Sequence, residues 1–377
     1  MPKKIETIAI HGGMDYTNAE NASIVPPMEP STIFEHKKKG YTEGDRNYIR
    51  YSNPNRDQLE ELLANLEQGK ACAAFSSGVA AITAIFQALH PGSHILLPVD
   101  LYHGSRVLIQ EFAAGWNLDY DFVDTTNLQK VEEAMKAETR LVWTETPSNP
   151  LQLISSVEAL ANIAHKHEAL VAVDNTWPTP YNMQPLTLGA DLVMHSTTKY
   201  LGGHSDILGG AVIANNEKGI FSRIRNIQQK QGAVPSPRDC WLLSRSIRSF
   251  PYRMRGHNEN AQQAAAFLVD HPKVQEVYYP GLETHPGHAI AKAEMNGFGG
   301  MISFLVDGGA EEALQVVAGS RIIRRATSLG GVESTWEHRC SSEGENSETP
   351  ENLIRLSVGL EHPEDIIEDL TQALSLL

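Results

Sequence analysis

From residue 57 onward the chain alternates amphipathic stretches with short runs that are apolar at nearly every position. Residues 57–68 place Leu59, Leu62, Leu63 and Leu66 on one helical face and stop at Gly69, the pattern of a surface helix with a glycine stop. The runs 71–75, 95–99, 120–123, 141–144, 170–173, 192–195 and 211–214 predict seven strands. Helices at 78–89, 104–114, 128–137 and 157–166 connect most of them. Strands this short and apolar on both faces belong to a mostly parallel sheet covered by helices, so an α/β doubly wound domain is expected.

The rhythm loosens after about residue 256. A helix at 259–269 is followed by strands near 274–279, 300–306, 321–325 and 353–358, with helices near 311–317 and 364–376. These strands read as antiparallel and predict a smaller C-terminal α+β domain. The expected division is 1–55 as an N-terminal arm, 56–255 as the large α/β domain and 256–377 as the C-terminal domain. The arm reads as irregular, with Pro26-Pro27, Pro30 and Asn53-Pro54 breaking regular elements. It is too long for an idle loop, and contact with a neighbouring subunit would give it a task. The stretch CSSEGENSETPE, 340–351, reads as a polar loop.

Composition narrows the function. With 46 Asp+Glu against 31 Lys+Arg the formal net charge is -15, which argues against a nucleic-acid backbone or an anionic membrane as partner. No apolar run approaches the ~20 residues of a membrane helix. Cys72, Cys240 and Cys340 are far apart and form no C-x-x-C, so a reduced, cytoplasmic compartment is expected. The pairs His165/His167 and His285/His288 lack acidic or thiol neighbours at metal-ligand spacing, and no metal is expected.

In doubly wound sheets, ligands bind beyond the carboxyl ends of the strands. Ser76-Ser77-Gly78-Val79 follows the first strand and opens a helix, the setting of an anion cradle or of an ordinary Ser-Gly turn. Asp174 ends the fifth strand, as a ligand-facing acid or a turn residue. Lys199 follows the sixth strand, flanked by hydroxyls and a Gly-rich loop; it is a nucleophilic amine or a surface lysine. Taken together, a phosphate cradle, a carboxylate and a lysine at the ends of one sheet are the parts of a pyridoxal 5'-phosphate (PLP) site. The lysine would bind the aldehyde, and the acid would keep the ring nitrogen protonated.

The chain resembles the Cys/Met-metabolism group of PLP enzymes, which includes cystathionine gamma-synthases and gamma- and beta-lyases. The likeness runs through Ile10-His11-Gly12, Arg50-Tyr51-Ser52-Asn53-Pro54, Glu145-Thr146-Pro147-Ser148-Asn149-Pro150, Asp174-Asn175-Thr176, HSTTKYLGGHSD (195–206), Gly232 to Pro237, Ser328 to Ser334 and Arg355 to Gly359. It implies the aspartate aminotransferase-like fold of PLP-dependent transferases. It also implies that Lys199 binds PLP and moves protons, and that Asp174 pairs with the ring nitrogen. Ser77, Gly78, Val79, Ser196 and Thr198 would hold the phosphate. Tyr102 would stack on the ring and act as an acid or base, and Asn149 would lie near the ring hydroxyl. Arg355 would take the substrate carboxylate with Ser328 beside it, and Asn149 would also contact the substrate. Tyr48 and Arg50 would reach the phosphate of the neighbouring subunit's cofactor, so a homo-oligomer, commonly a dimer of dimers, is implied.

The resemblance implies γ-elimination or γ-replacement on a homoserine- or homocysteine-derived amino acid. A beta-lyase, a γ-lyase for a non-sulfur leaving group and a non-catalytic PLP-binding regulator stay open at this point. Three rim positions depart from the group's pattern. Gly104 stands where methionine gamma-lyases carry Cys. Thr327 stands where a Glu would bind the distal amine of cystathionine. Glu337-His338-Arg339 replaces the usual text, so that His338 or Arg339 either faces the γ-substituent or pairs with Glu333 or Glu337.

Overall fold

The protein was analysed as a computed structural model, which describes residues 3–14, 23–37, 39–40, 45–344 and 347–377. The arm is less irregular than its prolines suggest. Helix α1 (Ile5–His11) turns Ala9 inward, and its Ile5 and Ile8 pack on the leucine face of α2 (Pro54–Leu66). Helix α2 begins three residues earlier than the apolar pattern predicts. Asn53 caps it, its side-chain oxygen accepting the Asn55 N–H at 3.0 Å, and Pro54 occupies the first helical position. Proline there starts a helix, since the missing N–H would have had no partner. Parts of the arm, and residues 345–346 of the polar stretch, lie outside the described residues.

Seven strands form the large sheet: β1 (Ala71–Phe75), β2 (His94–Pro98), β3 (Asp119–Val123), β4 (Thr139–Glu145), β5 (Leu170–Asp174), β6 (Leu192–His195) and β7 (Gly210–Ala214). Their order is β1-β7-β6-β5-β4-β2-β3. All neighbours are parallel except β7, which runs antiparallel to both β1 and β6. This is the mostly parallel seven-stranded α/β sheet that the apolar runs imply. Helices α3 (Gly78–Gln87), α4 (His103–Phe112), α5 (Leu128–Ala134) and α6 (Val157–Lys166) serve the parallel strands, whereas residues 196–209 return from β6 to β7 without crossing over.

That return positions the chemistry. Because β7 reverses, Phe75 at the end of β1 lies beside Gly210, and Ala211 lies beside His195. The ends of β4, β5 and β6 meet at the same edge, with Glu145 beside Asp174 and Asp174 beside Met194. Strand alternation then sorts the faces. Leu141, Trp143, Ala172 and Met194 share one core with α3, so Glu145 and Asp174 point to that side. Val193 belongs to the opposite core, so His195 points away, toward the end of α2.

After a short turn of helix, α7 (Thr179–Asn182), come α8 (Ile220–Gln231) and α9 (Pro237–Ile247), which the sequence reading did not assign. The 20-residue α10 (Phe250–Val269) follows and runs through the expected boundary near 256 without a break. Phe250 and Met254 pack in the core of the large sheet, and Ala261, Ala264, Ala265 and Leu268 in the C-terminal core. The C-terminal part contains β8 (Val274–Tyr278), α11 (His288–Glu294), β9 (Met301–Val306), α12 (Ala310–Gly319), β10 (Arg324–Arg325), β11 (Thr335–His338), α13 (Arg339–Glu343), β12 (Leu353–Ser357) and α14 (Pro363–Leu374). The sheet order is β10-β11-β12-β9-β8, antiparallel except at β10 and β11. Ile354 and Leu356 of β12 fill its core with Trp336 of β11, which leaves Arg355 and Glu337, directly opposite each other, on the other face. Helix α13 also corrects the expectation of a polar loop beginning at Cys340.

Candidate active site

A cavity opens where the edge of the large sheet meets the polar face of the C-terminal sheet. It is lined by Ser77, Gly78, Val79, Tyr102, Glu145, Asn149, Asp174, Ser196, Thr198, Lys199, Thr327, Ser328, Arg339 and Arg355, together with apolar neighbours such as Trp177 and Met194. Eleven cofactor- or substrate-binding residues expected from the sequence thus meet here, Ser77, Gly78, Val79, Tyr102, Asn149, Asp174, Ser196, Thr198, Lys199, Ser328 and Arg355, with the rim positions Thr327 and Arg339 beside them.

Lys199 sits in a tight turn. Its N–H bonds the Ser196 carbonyl at 3.2 Å, and its own carbonyl accepts the Gly203 N–H at 2.7 Å. Buried Arg253 ties the loop down through the carbonyls of Tyr200 (2.7 Å) and Leu201 (3.3 Å). From the other side Gly330, at φ +78°, presses on the Lys199–Tyr200 backbone, and a Cβ there would come within 2.8 Å of the Tyr200 nitrogen. The Lys199 amine donates to Ser328 Oγ at 2.6 Å. Burial, and then the neighbouring Arg355 charge, bring its pKa down to about 8.

On the cradle side, Ser77 caps α3 by accepting the Ala80 N–H at 3.1 Å. A Cβ on Gly78 would meet Ser196 at 2.9 Å, so only glycine lets the start of α3 lie this close to the loop after β6. Thr198 Oγ1 bonds both the N–H and the carbonyl of Gly209, bracing the return to β7. Tyr102 stands just before α4, its N–H bonded to Glu145 Oε2 at 2.7 Å. Asp174 is buried, and its Oδ1 accepts the Thr176 N–H at 3.0 Å. Burial raises its pKa, against the pull of Thr176, His195 and Lys199. Burial and then Asp174 push Glu145 further, well above the usual carboxylate range. Behind Asp174, buried His195 bonds Glu67 Oε1 at 2.5 Å and Asn175 donates to the same oxygen at 2.8 Å.

Arg355 donates to Asn149 Oδ1 at 2.9 Å and to Glu337 Oε2 at 2.7 Å. Burial lowers its pKa to about 10. Arg339 shares Glu337 (3.1 Å) and adds Glu343 (2.7 Å). Burial alone would raise Glu337, but Arg355 and Arg339 outweigh it and hold the carboxyl below its ordinary value. The two readings of the Glu337-His338-Arg339 text therefore divide. Arg339 both pairs with Glu337 and lines the cavity, while His338 is spent on Ser341 and the Glu351 carbonyl.

Tyr48 and Arg50 do not line this cavity. Arg50 stacks over Tyr51 at 4.6 Å and Tyr48 at 5.6 Å and donates to the Gln229 carbonyl. Glu145 and Glu67 received no role from sequence, and Glu337 was named only as an ion-pair partner, not as the residue that holds Arg355. For Glu145 the signal was present, since it continues the Leu141–Trp143 alternation onto the face that Asp174 shares.

These groups fit PLP. A lysine of depressed pKa suits its aldehyde, a buried acid suits its ring nitrogen, and a helix start that excludes any Cβ suits its phosphate.

The comparisons agree. Residues 6–375 match the family model described as Cys/Met metabolism PLP-dependent enzyme. A cystathionine gamma-synthase of Mycobacterium leprae is 43% identical over 98% of this chain and 97% of its own. A cystathionine gamma-lyase of Bacillus subtilis is 42% identical over 98% and 99%. A cystathionine beta-lyase of Lactococcus lactis subsp. cremoris is 43% identical over 98% of each chain. The crystal structure of metB from Corynebacterium glutamicum superposes with a TM-score of 0.96 at 40% identity, covering 99% of this chain and 98% of that one.

Proposed function

The chain belongs to the Cys/Met-metabolism family of PLP-dependent enzymes, and on that premise we propose that it catalyses γ-elimination or γ-replacement on a homoserine- or homocysteine-derived amino acid. The observation that carries this reading is the meeting of Lys199, Asp174 and Arg355 in one cavity at the junction of the two sheets. When bound, PLP supplies the electron sink that makes the substrate's α- and β-protons removable.

The residues divide the remaining work. Arg355, held in place by Asn149 and Glu337, binds the substrate α-carboxylate with the donors those partners leave free. Asp174 would pair with the ring nitrogen and favour its protonated form. Lys199, with an amine near pKa 8, takes and returns protons at the substrate carbons close to neutral pH. Ser328 accepts a hydrogen bond from that amine and orients it. Tyr102 would stack on the ring, and Ser77, Gly78, Val79, Ser196 and Thr198 would hold the phosphate.

Tyr48 and Arg50 act in the neighbouring subunit's site, within a homo-oligomer built as a dimer of dimers. Supporting this, they lie outside their own chain's cavity, and Tyr48 is exposed. The enzyme works in the cytoplasm. Its three cysteines are unpaired, and among the described residues no helix is long and apolar enough to cross a membrane.

The test is incubation of the PLP-loaded protein with L-cystathionine and identification of the keto acid by mass spectrometry. 2-Oxobutanoate is expected, and adding L-cysteine with an O-substituted homoserine tests replacement. Pyruvate instead would place the cleaved bond on the β-carbon. Silence with both substrates would overturn the reading.

A further inference from the structure

We propose that Glu67, which lies outside the cavity, is a positioning residue for the cofactor's ring nitrogen: it locks the ends of β5 and β6 together behind Asp174 and, through His195, sets how firmly that nitrogen holds its proton. The inference rests on the reading above that Asp174 pairs with the ring nitrogen, and it extends that reading to a group that does not line the cavity.

Glu67 follows the last residue of α2, and its side chain is buried. A single oxygen, Oε1, serves both strand ends, taking the Asn175 amide at 2.8 Å and His195 Nε2 at 2.5 Å. Asn175 directly follows Asp174, and its N–H bonds the Met194 carbonyl at 2.9 Å. His195 directly follows Met194, and the N–H of the next residue, Ser196, bonds Thr176 Oγ1 at 2.8 Å. The Thr176 N–H is in turn the donor to Asp174 Oδ1. The place of the Asp174 carboxyl is therefore set by a closed group of bonds, and Glu67 is its outermost member.

Two observations point beyond a brace. A buried carboxyl is costly unless its oxygens are paired. Yet Glu67 Oε2 has no hydrogen-bond partner, and neither has His195 Nδ1 or Asn175 Oδ1, all in residues at most 1% exposed. A tie between a helix and a sheet does not need an acidic group held at that cost, so the acid itself has a use. The second observation names the use. His195, which Glu67 holds, is among the groups that draw Asp174 toward its ionised form against burial. An ionised Asp174 favours the protonated ring nitrogen.

The test is fluorescence titration of the PLP-free, full-length protein with PLP and with its 1-deaza analogue, whose ring carries C–H in place of the nitrogen. Both ligands keep the aldehyde and the phosphate, so the ratio of their affinities isolates the ring nitrogen. The wild type should prefer PLP about tenfold or more. Glu67→Gln keeps the side chain's shape and removes its acid, and it should cut that ratio about three- to tenfold while the analogue binds nearly as before. His195→Gln should cut the ratio in the same direction. Adding Glu67→Gln to His195→Gln should then change it little further, because the first residue acts through the second. An unchanged ratio in both single variants, whether or not the two ligands weaken equally, makes Glu67 a structural tie alone and overturns the proposal while the Asp174 pairing stands. A wild type with no preference for PLP over the analogue overturns that pairing and the proposal together.

Discussion

The amine of Lys199 lies 2.6 Å from the hydroxyl of Ser328, a residue held at φ +92°. A non-glycine residue rarely adopts that backbone, and here the following loop, pressed against Lys199 by Gly330, imposes it. The lysine is thereby aimed by a residue 129 positions away. Ser328→Ala should lower kcat about fivefold, the worth of one hydrogen bond of about 1 kcal/mol, while the α-carboxylate contact keeps KM within a factor of about two. Steady-state kinetics check this, and an unchanged kcat would remove Ser328 from the orienting role.

Burial sets the pH behaviour of Lys199. At pKa about 8, about a tenth of the amine is free at pH 7, against roughly one part in 3000 for an ordinary lysine. Competitive acetylation of the PLP-free protein, read by mass spectrometry, should give Lys199 a midpoint near 8, well below the ~10.4 of an unperturbed lysine side chain. The stability sign follows. Between about 8 and 10.5 the unfolded chain holds this proton and the folded chain does not, so the group's contribution to stability rises with pH in that window.

Gly104 is a space reservation for Tyr102. A Cβ there would come within 2.5 Å of the Tyr102 ring and 2.9 Å of its hydroxyl. Gly104→Ala should favour α4 by up to about 1 kcal/mol and yet lower kcat about 10- to 100-fold by displacing the ring. A normal melting temperature with normal turnover would show that the ring position is not needed.

Thr327→Glu would set a second carboxylate against Glu337, whose Oε1 already accepts the Thr327 hydroxyl. The substitution should cost about 1–3 kcal/mol of stability. Adding Glu337→Gln should recover most of that loss and raise kcat/KM for L-cystathionine relative to Thr327→Glu alone. Denaturant unfolding and keto-acid assays measure the two effects.

The shared-site arrangement has a direct assay. Arg50→Ala and Lys199→Ala should each be nearly inactive alone. Unfolded together and reassembled, they should regain activity, because one hybrid site combines an intact Lys199 with the neighbouring chain's Arg50. No recovery would place Arg50 outside the partner's site.

The sequence was most informative where one strand face decides the outcome. Lys199, Asp174 and the Ser77–Gly78 turn follow apolar runs whose ends the parallel sheet brings to one edge, and strand order alone makes them neighbours. It was least informative where pairing across distance makes the element. The strand Thr335–His338 has no alternation strong enough to announce it and exists because Leu353–Ser357 lies alongside. For Arg339 the sequence offered the cavity and pairing with Glu337 as alternatives, and the structure combines them; its second carboxylate, Glu343, was hidden because it lies on α13, which the local pattern does not reveal. Pro54 misled for a different reason, because the residue that breaks a helix interior is favoured at its first position.

Helix α10 begins in one core and ends in the other, so mechanically it is a beam clamped at both ends. A beam resists the hinge by which two-part enzymes commonly close. The span between Lys199 on one side and Arg355 on the other is then a fixed gauge, and a substrate is measured against it rather than gripped by a moving jaw. Discrimination in such a cleft falls to the side chains that set its width, and it is felt at the first encounter.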